Sequence, residues 1–196
     1  MEKIVKIKST AIPVRNDNID TDQIIPARFL KATDKKGFGE KLFYDLRYDK
    51  DGQKKEEFPL NKYNGEILLA GKNFGSGSSR EHAVWALTGY GIRAVVSSKF
   101  ADIFRNNALN NGLLPVEVSE SFLNSAFTAV NTNPETEIVI DLQVQTICID
   151  SDKKECEHFE INPFKKECLL NGLDDLSFLL KLLPEIESFE KTKTLL

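Results

Sequence analysis

The sequence has few of the side chains that bind metals or form disulfide frameworks. Its 196 residues include two histidines, His82 and His158, and three cysteines, Cys148, Cys156 and Cys168. The number of cysteines is odd, and no two of them form the C-x-x-C pair typical of zinc and redox sites. We therefore predict neither a disulfide framework nor a complete zinc or iron–sulfur site in this chain. A metal used in its chemistry would have to be bound by another protein.

Long apolar stretches and an excess of positive charge are also missing. No apolar run approaches the ~18 residues that a membrane helix needs. Residues 1–10 alternate charged side chains with Ile and Val, unlike the continuous apolar stretch of a secretory signal. The formal net charge is -4, whereas binding to a phosphate backbone requires a basic face. The composition predicts a soluble, cytoplasmic protein that binds neither membranes nor nucleic acids.

The chain length and the order of apolar segments predict an α/β fold. A length of 196 residues with 41% hydrophobic side chains suits one domain over residues 1–196. The polar stretch 45–64 is predicted to be an exposed loop, and the tail 162–196 to be mostly helical with a break at Asn171-Gly172. Between them we predict, in order, strand 66–70, helix 80–90, strand 93–97, helix 101–111, strand 113–118, a helix from Ser119, and β structure over 137–149. In such parallel β-α-β arrangements the functional loops follow the carboxyl ends of the strands.

One of these loops, residues 71–82 with the sequence GKNFGSGSSREH, is the most unusual segment of the chain. Gly75 and Gly77 permit positive φ, so the turn can direct several N–H groups at one point. The start of the next helix and Arg80 add positive charge. The segment is therefore a candidate anion cradle in which the oxygen of Ser78 or Ser79 could be stabilised as an alkoxide.

The same loop also has structural and nucleotide-binding interpretations. Ser78 and Glu81 have the spacing of a capping box, in which each side chain satisfies the other residue's amide. That interpretation leaves Arg80 unexplained, because a cation at the positive end of a helix is unfavourable without an anion. Neither nucleotide signature is complete: Arg80 replaces the third glycine of G-x-G-x-x-G, and Asn73 replaces the Ser or Thr of the P-loop.

Two further features have open alternatives. His82 could be a base or a metal ligand, although a lone histidine in a first helical turn is more often structural. In the second loop, residues 18–28, Asp20 and Asp22 could orient a partner group and Thr21 could cap a short helix. Arg28 could clamp a carboxylate bidentately. The alternative for this loop is a solvated turn followed by a surface cation.

Taken together, these segments resemble the family of bacterial 3-isopropylmalate dehydratase small subunits, in the aconitase superfamily. The likeness runs over nearly the whole chain in the same order and spacing. The matching stretches are 18–26 with 28–31, 37–39, 73–82 with 85–87, 100–104, 110–116 and 168–174.

The resemblance implies a three-layer β/β/α swivelling domain, as in the aconitase C-terminal domain, that closes over a large subunit. That partner would hold a [4Fe-4S] cluster, and this chain would bind no cofactor itself. The family reaction is a dehydration and rehydration that converts 2-isopropylmalate to 3-isopropylmalate through isopropylmaleate, in leucine biosynthesis. The resemblance thus implies a hydro-lyase that is active only as a heterodimer.

Position in the family motif also implies residue roles. Ser78 would be the base that removes the carbon-bound proton, while Ser79 and Arg80 would bind a substrate carboxylate. Arg28 would be a second anion contact, and Asp22 a supporting residue near the serine. Gly75, Gly77 and His82 would also support the site.

Other functions stay open at this point. A related hydro-lyase small subunit acting on citraconate, methylmalate or homoaconitate would need only modest changes near Phe29-Leu30, whose apolar surface suits an isopropyl group. A phosphate-binding module would use Gly75 and Gly77. A regulatory or scaffold module would use Ser78 and Glu81 only to cap a helix.

Overall fold

The computed structural model describes residues 1–31, 35–151 and 154–193 of the chain. The strands are β1 (Lys6–Val14), β2 (Ile67–Ala70), β3 (Ala94–Ser97), β4 (Leu114–Glu117), β5 (Glu137–Asp141), β6 (Thr146–Asp150) and β7 (Glu155–His158). The helices are α1 (Thr21–Ile24), α2 (Tyr44–Arg47), α3 (Pro59–Lys62), α4 (Glu81–Tyr90), α5 (Asp102–Asn110), α6 (Glu120–Thr132), α7 (Pro163–Asn171), α8 (Asp175–Lys181) and α9 (Leu183–Lys193), with 3-10 turns at Ala27–Phe29 and Gly39–Lys41. Over the described ranges, no helix combines the length and apolar content needed to cross a membrane.

The strands form one curled sheet with the order β4-β3-β2-β1-β5-β6-β7. Strand β1 joins its two halves, because residues 11–14 pair in parallel with β2 and residues 6–10 pair antiparallel with β5. The half formed by β1 to β4 is parallel, and the half formed by β5 to β7 is antiparallel. This mixed sheet with its helices confirms the predicted α/β class.

Strand β2 lies in the interior of the sheet and is buried on both faces. Ile67 and Leu69 belong to one hydrophobic cluster, which α6 covers, while Leu68 and Ala70 belong to another, which α4 and α5 cover. Burial on both faces explains why this strand is continuously apolar instead of alternating. Because both faces of β2 are packed, the point at which the following loop leaves the sheet is also fixed.

The predicted elements of the middle of the chain are confirmed to within a residue or two. These are β2, α4, β3, α5 and β4, and Ser119 is the N-cap residue of α6. The β structure over 137–149 is the hairpin of β5 and β6, and the described tail to residue 193 is helical with Gly172 ending α7. The prediction for residues 194–196 lies outside the described residues. The edge strand β7 was not predicted, since its sequence ECEH is mostly charged.

The stretch 45–64 is mostly exposed, as predicted, but it is not only a loop. It contains most of α2 and all of α3, and it buries Arg47 and Leu60. The Arg47 guanidinium donates to the Leu42 carbonyl and to Asn61 Oδ1, at 3.2 Å each. Such internal bonds allow a polar segment to be buried, and composition alone does not reveal them.

No disulfide framework was predicted, and the three cysteines form a single disulfide. Cys148 on β6 and Cys156 on β7 face each other across the antiparallel ladder and are bonded. The odd number of cysteines excluded only the pairing of all three. The third, Cys168, is buried, and burial raises the pKa of its thiol.

Candidate functional site

The loops that follow β1, β2 and β3 meet at one edge of the sheet. The Asn18 amide donates to the Lys72 carbonyl at 2.8 Å, and the Phe74 amide donates to the Lys99 carbonyl at 3.1 Å. Side chains reinforce the first contact, because Asn73 Nδ2 donates to Asn18 Oδ1 at 2.9 Å. The two loops that the sequence singled out therefore lie side by side, as expected for the carboxyl ends of parallel strands.

The glycine-rich turn directs two amides at one atom, but that atom belongs to the protein. The amides of Gly75 and Ser76 both donate to the Ile19 carbonyl, at 2.8 and 3.3 Å. Gly75 and Gly77 have φ of 77° and 89°, the left-handed region that favours glycine. Two amides of this turn do converge on one atom, but that atom is a carbonyl oxygen of the neighbouring loop and not a ligand.

The next part of the loop faces solvent. Ser78 and Ser79 are exposed, and their hydroxyls have no hydrogen-bond partner among the described residues. The amides of residues 77–79 likewise have no acceptor within those ranges. The buried Thr21 side chain anchors this segment, because its hydroxyl donates to the Ser78 carbonyl at 2.9 Å. Within the described part of the chain, two hydroxyls and three amides just before α4 are therefore left without a hydrogen-bond partner.

The predicted capping box of Ser78 and Glu81 is wrong. Helix α4 begins at Glu81, and its N-cap residue is Arg80, which makes no side-chain capping bond. A capping serine would offer its carbonyl to the first turn of the helix, whereas the Ser78 carbonyl accepts the bond from Thr21. The Glu81 carboxylate instead accepts a bond from Asn111 Nδ2 at 2.7 Å.

A capping box is present at this edge of the sheet, but it lies in the loop of residues 18–28, at the start of α1. Asp20 Oδ1 accepts from the Gln23 amide at 2.7 Å, and Gln23 Oε1 accepts from the Asp20 amide at 3.0 Å. The N-cap residue is therefore Asp20, and the prediction that Thr21 caps this helix is wrong. The D-x-x-Q spacing is a local signal that sequence analysis could have used.

Arg80 is paired with Asp22. Arg80 Nη1 donates to Asp22 Oδ1, which also accepts from the Ala27 amide at 2.9 Å. The Arg80 side chain is 19% exposed and that of Asp22 is 58% exposed. The Arg80 guanidinium, followed by the Ala27 amide, holds the pKa of Asp22 below its usual range, so this carboxylate is ionised at neutral pH. The anion that Arg80 requires at the helix end is, in this structure, Asp22.

Arg28 lies in an ion pair with Asp45. Its Nη1 donates to Asp45 Oδ2 at 2.9 Å, and its Nη2 donates to Asp45 Oδ1. The guanidinium lies 4.6 Å from the Phe29 ring and 5.5 Å from the Tyr44 ring, at the side of a cleft of about 750 Å³. Asp45 was not among the predicted site residues, because it is 17 positions from Arg28 and no local pattern connects them.

His82 packs among aromatic side chains. Its ring centroid lies 4.6 Å from that of Trp85 and 5.3 Å from that of Phe38. These contacts favour the structural interpretation of this histidine. In the part of the chain that the structure describes, no group of three or more His, Cys, Asp or Glu side chains is placed to hold a metal ion.

Comparisons with known proteins find similar chains. Residues 1–121 match the aconitase C-terminal domain family. The chain is 57% identical to the 3-isopropylmalate dehydratase small subunit of Christiangramia forsetii, over 98% of this chain and 95% of that protein. It is 50% identical to the small subunit of Lactococcus lactis subsp. lactis, over 97% of this chain and 98% of that protein.

A solved structure is similar over nearly the same length. The crystal structure of 3-isopropylmalate dehydratase from Methanocaldococcus jannaschii matches with a TM-score of 0.67 and 31% sequence identity, covering 94% of this chain and 99% of that one. Identity of this extent over almost complete chains shows common descent as well as a common fold. The chain therefore belongs to the 3-isopropylmalate dehydratase small-subunit family, which carries the aconitase C-terminal domain.

Proposed function

We propose that this chain is the small subunit of a cytoplasmic isopropylmalate isomerase and forms one domain over residues 1–196. The enzyme would dehydrate 2-isopropylmalate to isopropylmaleate and rehydrate it to 3-isopropylmalate, in leucine biosynthesis. One structural observation supports the assignment of a site: Ser78 and Ser79 are exposed just before α4, and neither their hydroxyls nor the amides of residues 77–79 have a hydrogen-bond partner among the described residues.

In this proposal Ser78 is the base that removes the proton from carbon. A serine hydroxyl is a poor base at neutral pH, so its alkoxide has to be stabilised by nearby donors. The amides of residues 77–79, which have no acceptor within the described ranges, and the start of the ten-residue helix α4 would supply such donors. Because Asp22 offsets much of the charge of Arg80, oriented amides contribute more to this stabilisation than net charge does.

Arg80 and Ser79 would bind one carboxylate of the substrate. A guanidinium has five N–H donors, and Asp22 takes a bond from only one nitrogen of Arg80. Asp22 therefore orients Arg80 while leaving donors for a ligand. Arg28 would bind the second carboxylate, and the half-buried Phe29 and Leu30 beside it would contact the isopropyl group.

The iron–sulfur cluster would belong to a large-subunit partner. Cys148 and Cys156 are bonded to each other and Cys168 is buried, so these cysteines do not form a ligand set for a cluster. The cluster would supply Lewis-acid chemistry that eases departure of the substrate hydroxyl. Ser78 and its neighbours lie on an open surface that a second protein can cover.

A phosphate-binding function is disfavoured by the same loop. A phosphate site built on Gly75 would need the amides of Gly75 and Ser76, and both donate to the Ile19 carbonyl instead.

The test of this proposal is Ser78→Ala in the complex reconstituted with the large subunit. We expect turnover of 2-isopropylmalate to fall at least ~1,000-fold, because the base is lost. The free energy of unfolding should change by less than ~0.5 kcal/mol, since Ser78 is exposed and does not cap the helix.

The matched control is Ser76→Ala, which removes a hydroxyl from the same loop without touching the proposed site. Its turnover should stay within about twofold of wild type, because Ser76 binds the neighbouring loop through its backbone amide and carbonyl, which the substitution keeps. Full activity of the Ser78→Ala complex would remove Ser78 from the mechanism.

A further inference from the structure

We infer that Asp45 is a positioning residue for the substrate site. Its carboxylate holds Arg28 by accepting bonds from Nη1 and Nη2 of the guanidinium. This inference rests on the proposed function, in which Arg28 binds a substrate carboxylate. With its outer end fixed by Asp45, the guanidinium keeps its Nε edge for the ligand. No family motif quoted above includes Asp45.

The Arg28 side chain is restrained on several sides. Asp45 accepts a bond from each Nη nitrogen. Two such bonds fix the plane of the guanidinium, whereas a single bond would let it rotate. The plane also lies against Phe29 and Tyr44, whose rings contact each other edge to face with centroids 5.1 Å apart. The guanidinium therefore has one orientation despite being half-exposed.

Asp45 itself is held by buried neighbours in the chain. It is the second residue of α2, directly after Phe43 and Tyr44. The fully buried Phe43 donates its amide to the Ile24 carbonyl at 2.8 Å, which ties α2 to the loop that carries Arg28. Arg47, two residues after Asp45, is buried and hydrogen-bonded. The carboxylate of Asp45 therefore projects from a rigid segment.

Each of the two arginines of the proposed site is paired with its own carboxylate. Asp45 binds Arg28, and Asp22 binds both Arg80 and the amide of Ala27, the residue before Arg28. The positive charge of Arg28 also contributes to keeping the pKa of Asp22 low. Without Asp45, Arg28 would be drawn toward the ionised Asp22 and would compete with Arg80 for it. One carboxylate thus keeps the two cations apart.

The experiment measures KM and kcat for 2-isopropylmalate in the reconstituted complex, using Asp45→Asn, Arg28→Ala and the double variant. Asp45→Asn should raise KM about tenfold and leave kcat within about twofold, because a misplaced arginine weakens binding of substrate and transition state alike. In the Arg28→Ala background the same substitution should have no further effect, because Asp45 acts through Arg28.

The control variant is Asp51→Asn. Asp51 lines the same cleft as Arg28 and is exposed. Its substitution therefore removes the same charge as Asp45→Asn but leaves the ion pair between Arg28 and Asp45 intact. Its KM should match wild type. All variants should keep the wild-type thermal unfolding temperature to within a degree or two, since exposed ion pairs contribute little to stability.

The outcomes separate this inference from the proposed function. A wild-type KM for Asp45→Asn, or effects that multiply in the double variant, would overturn the role of Asp45 even if Ser78→Ala is inactive. A wild-type complex that fails to turn over 2-isopropylmalate would overturn both.

Discussion

Gly75 and Gly77 share a turn and a backbone conformation, yet their surroundings differ. Both have positive φ, where any other L-residue is strained. A Cβ added at Gly75 would lie 2.2 Å from Cγ of Phe104, whereas at Gly77 the nearest atom, Cβ of Asp20, would lie at 3.4 Å. The first glycine is required by packing and conformation, and the second by conformation alone.

We therefore expect Gly75→Ala and Gly77→Ala to differ in stability. Gly77→Ala should lower the free energy of unfolding by about 1 kcal/mol, the cost of a left-handed alanine. Gly75→Ala should lower it by about 2–4 kcal/mol, because Phe104 or the loop has to move as well. Urea unfolding of the two variants measures the difference. Equal losses of unfolding free energy would show that Phe104 moves aside at little energetic cost.

At the scale of elements, two segments of this edge carry a capping-box pattern and only one uses it. Asp20 and Gln23 form the box, while Ser78 and Glu81 do not. The difference comes from Thr21, whose hydroxyl binds the Ser78 carbonyl from a loop 57 residues away. Local spacing predicts that a helix starts nearby, and a long-range contact decides which residue starts it.

The sheet shows a similar division between local and long-range information. Strands β2, β3 and β4 are predictable because their burial makes them short apolar runs. Strand β7 is not, because it pairs on the edge of the sheet and carries charge. The bond between Cys148 and Cys156 follows from that missed strand, since only the register of β6 against β7 places the two cysteines opposite each other.

Reduction of this disulfide should lower the free energy of unfolding. Cys156 is exposed, so a reductant can reach the bond. Closing the loop between positions eight apart is worth about 2.5 kcal/mol by the entropy of the unfolded chain. Urea unfolding with and without reductant should show this difference, and the Cys148→Ser/Cys156→Ser variant should not respond to reductant. An identical wild-type curve in both conditions would show that the bond does not form in solution.

At the scale of the whole molecule, the position of the candidate site was predictable and the contacts between its residues were not. The glycine-rich loop between β2 and α4 marks the carboxyl edge of a parallel sheet, so it places Ser78 and Arg80 there from sequence alone. The partners of the two arginines, Asp22 and Asp45, depend on how distant loops fold together. Asp22 was a candidate from its own loop and from the family motif, whereas Asp45 had no such signal.

The open surface of the site predicts that the isolated chain is inactive. Ser78 and Ser79 are exposed, and Arg28 is half-exposed and already bonded to Asp45. A small dianion bound there would keep most of its hydration, so the chain alone supplies too little of the geometry for proton abstraction from carbon. Formation of isopropylmaleate, followed by ultraviolet absorbance, should be absent with the pure chain. It should appear in proportion to added large subunit until the two are equimolar, whereas steady turnover by the pure chain would contradict the proposed division of the site between two polypeptides.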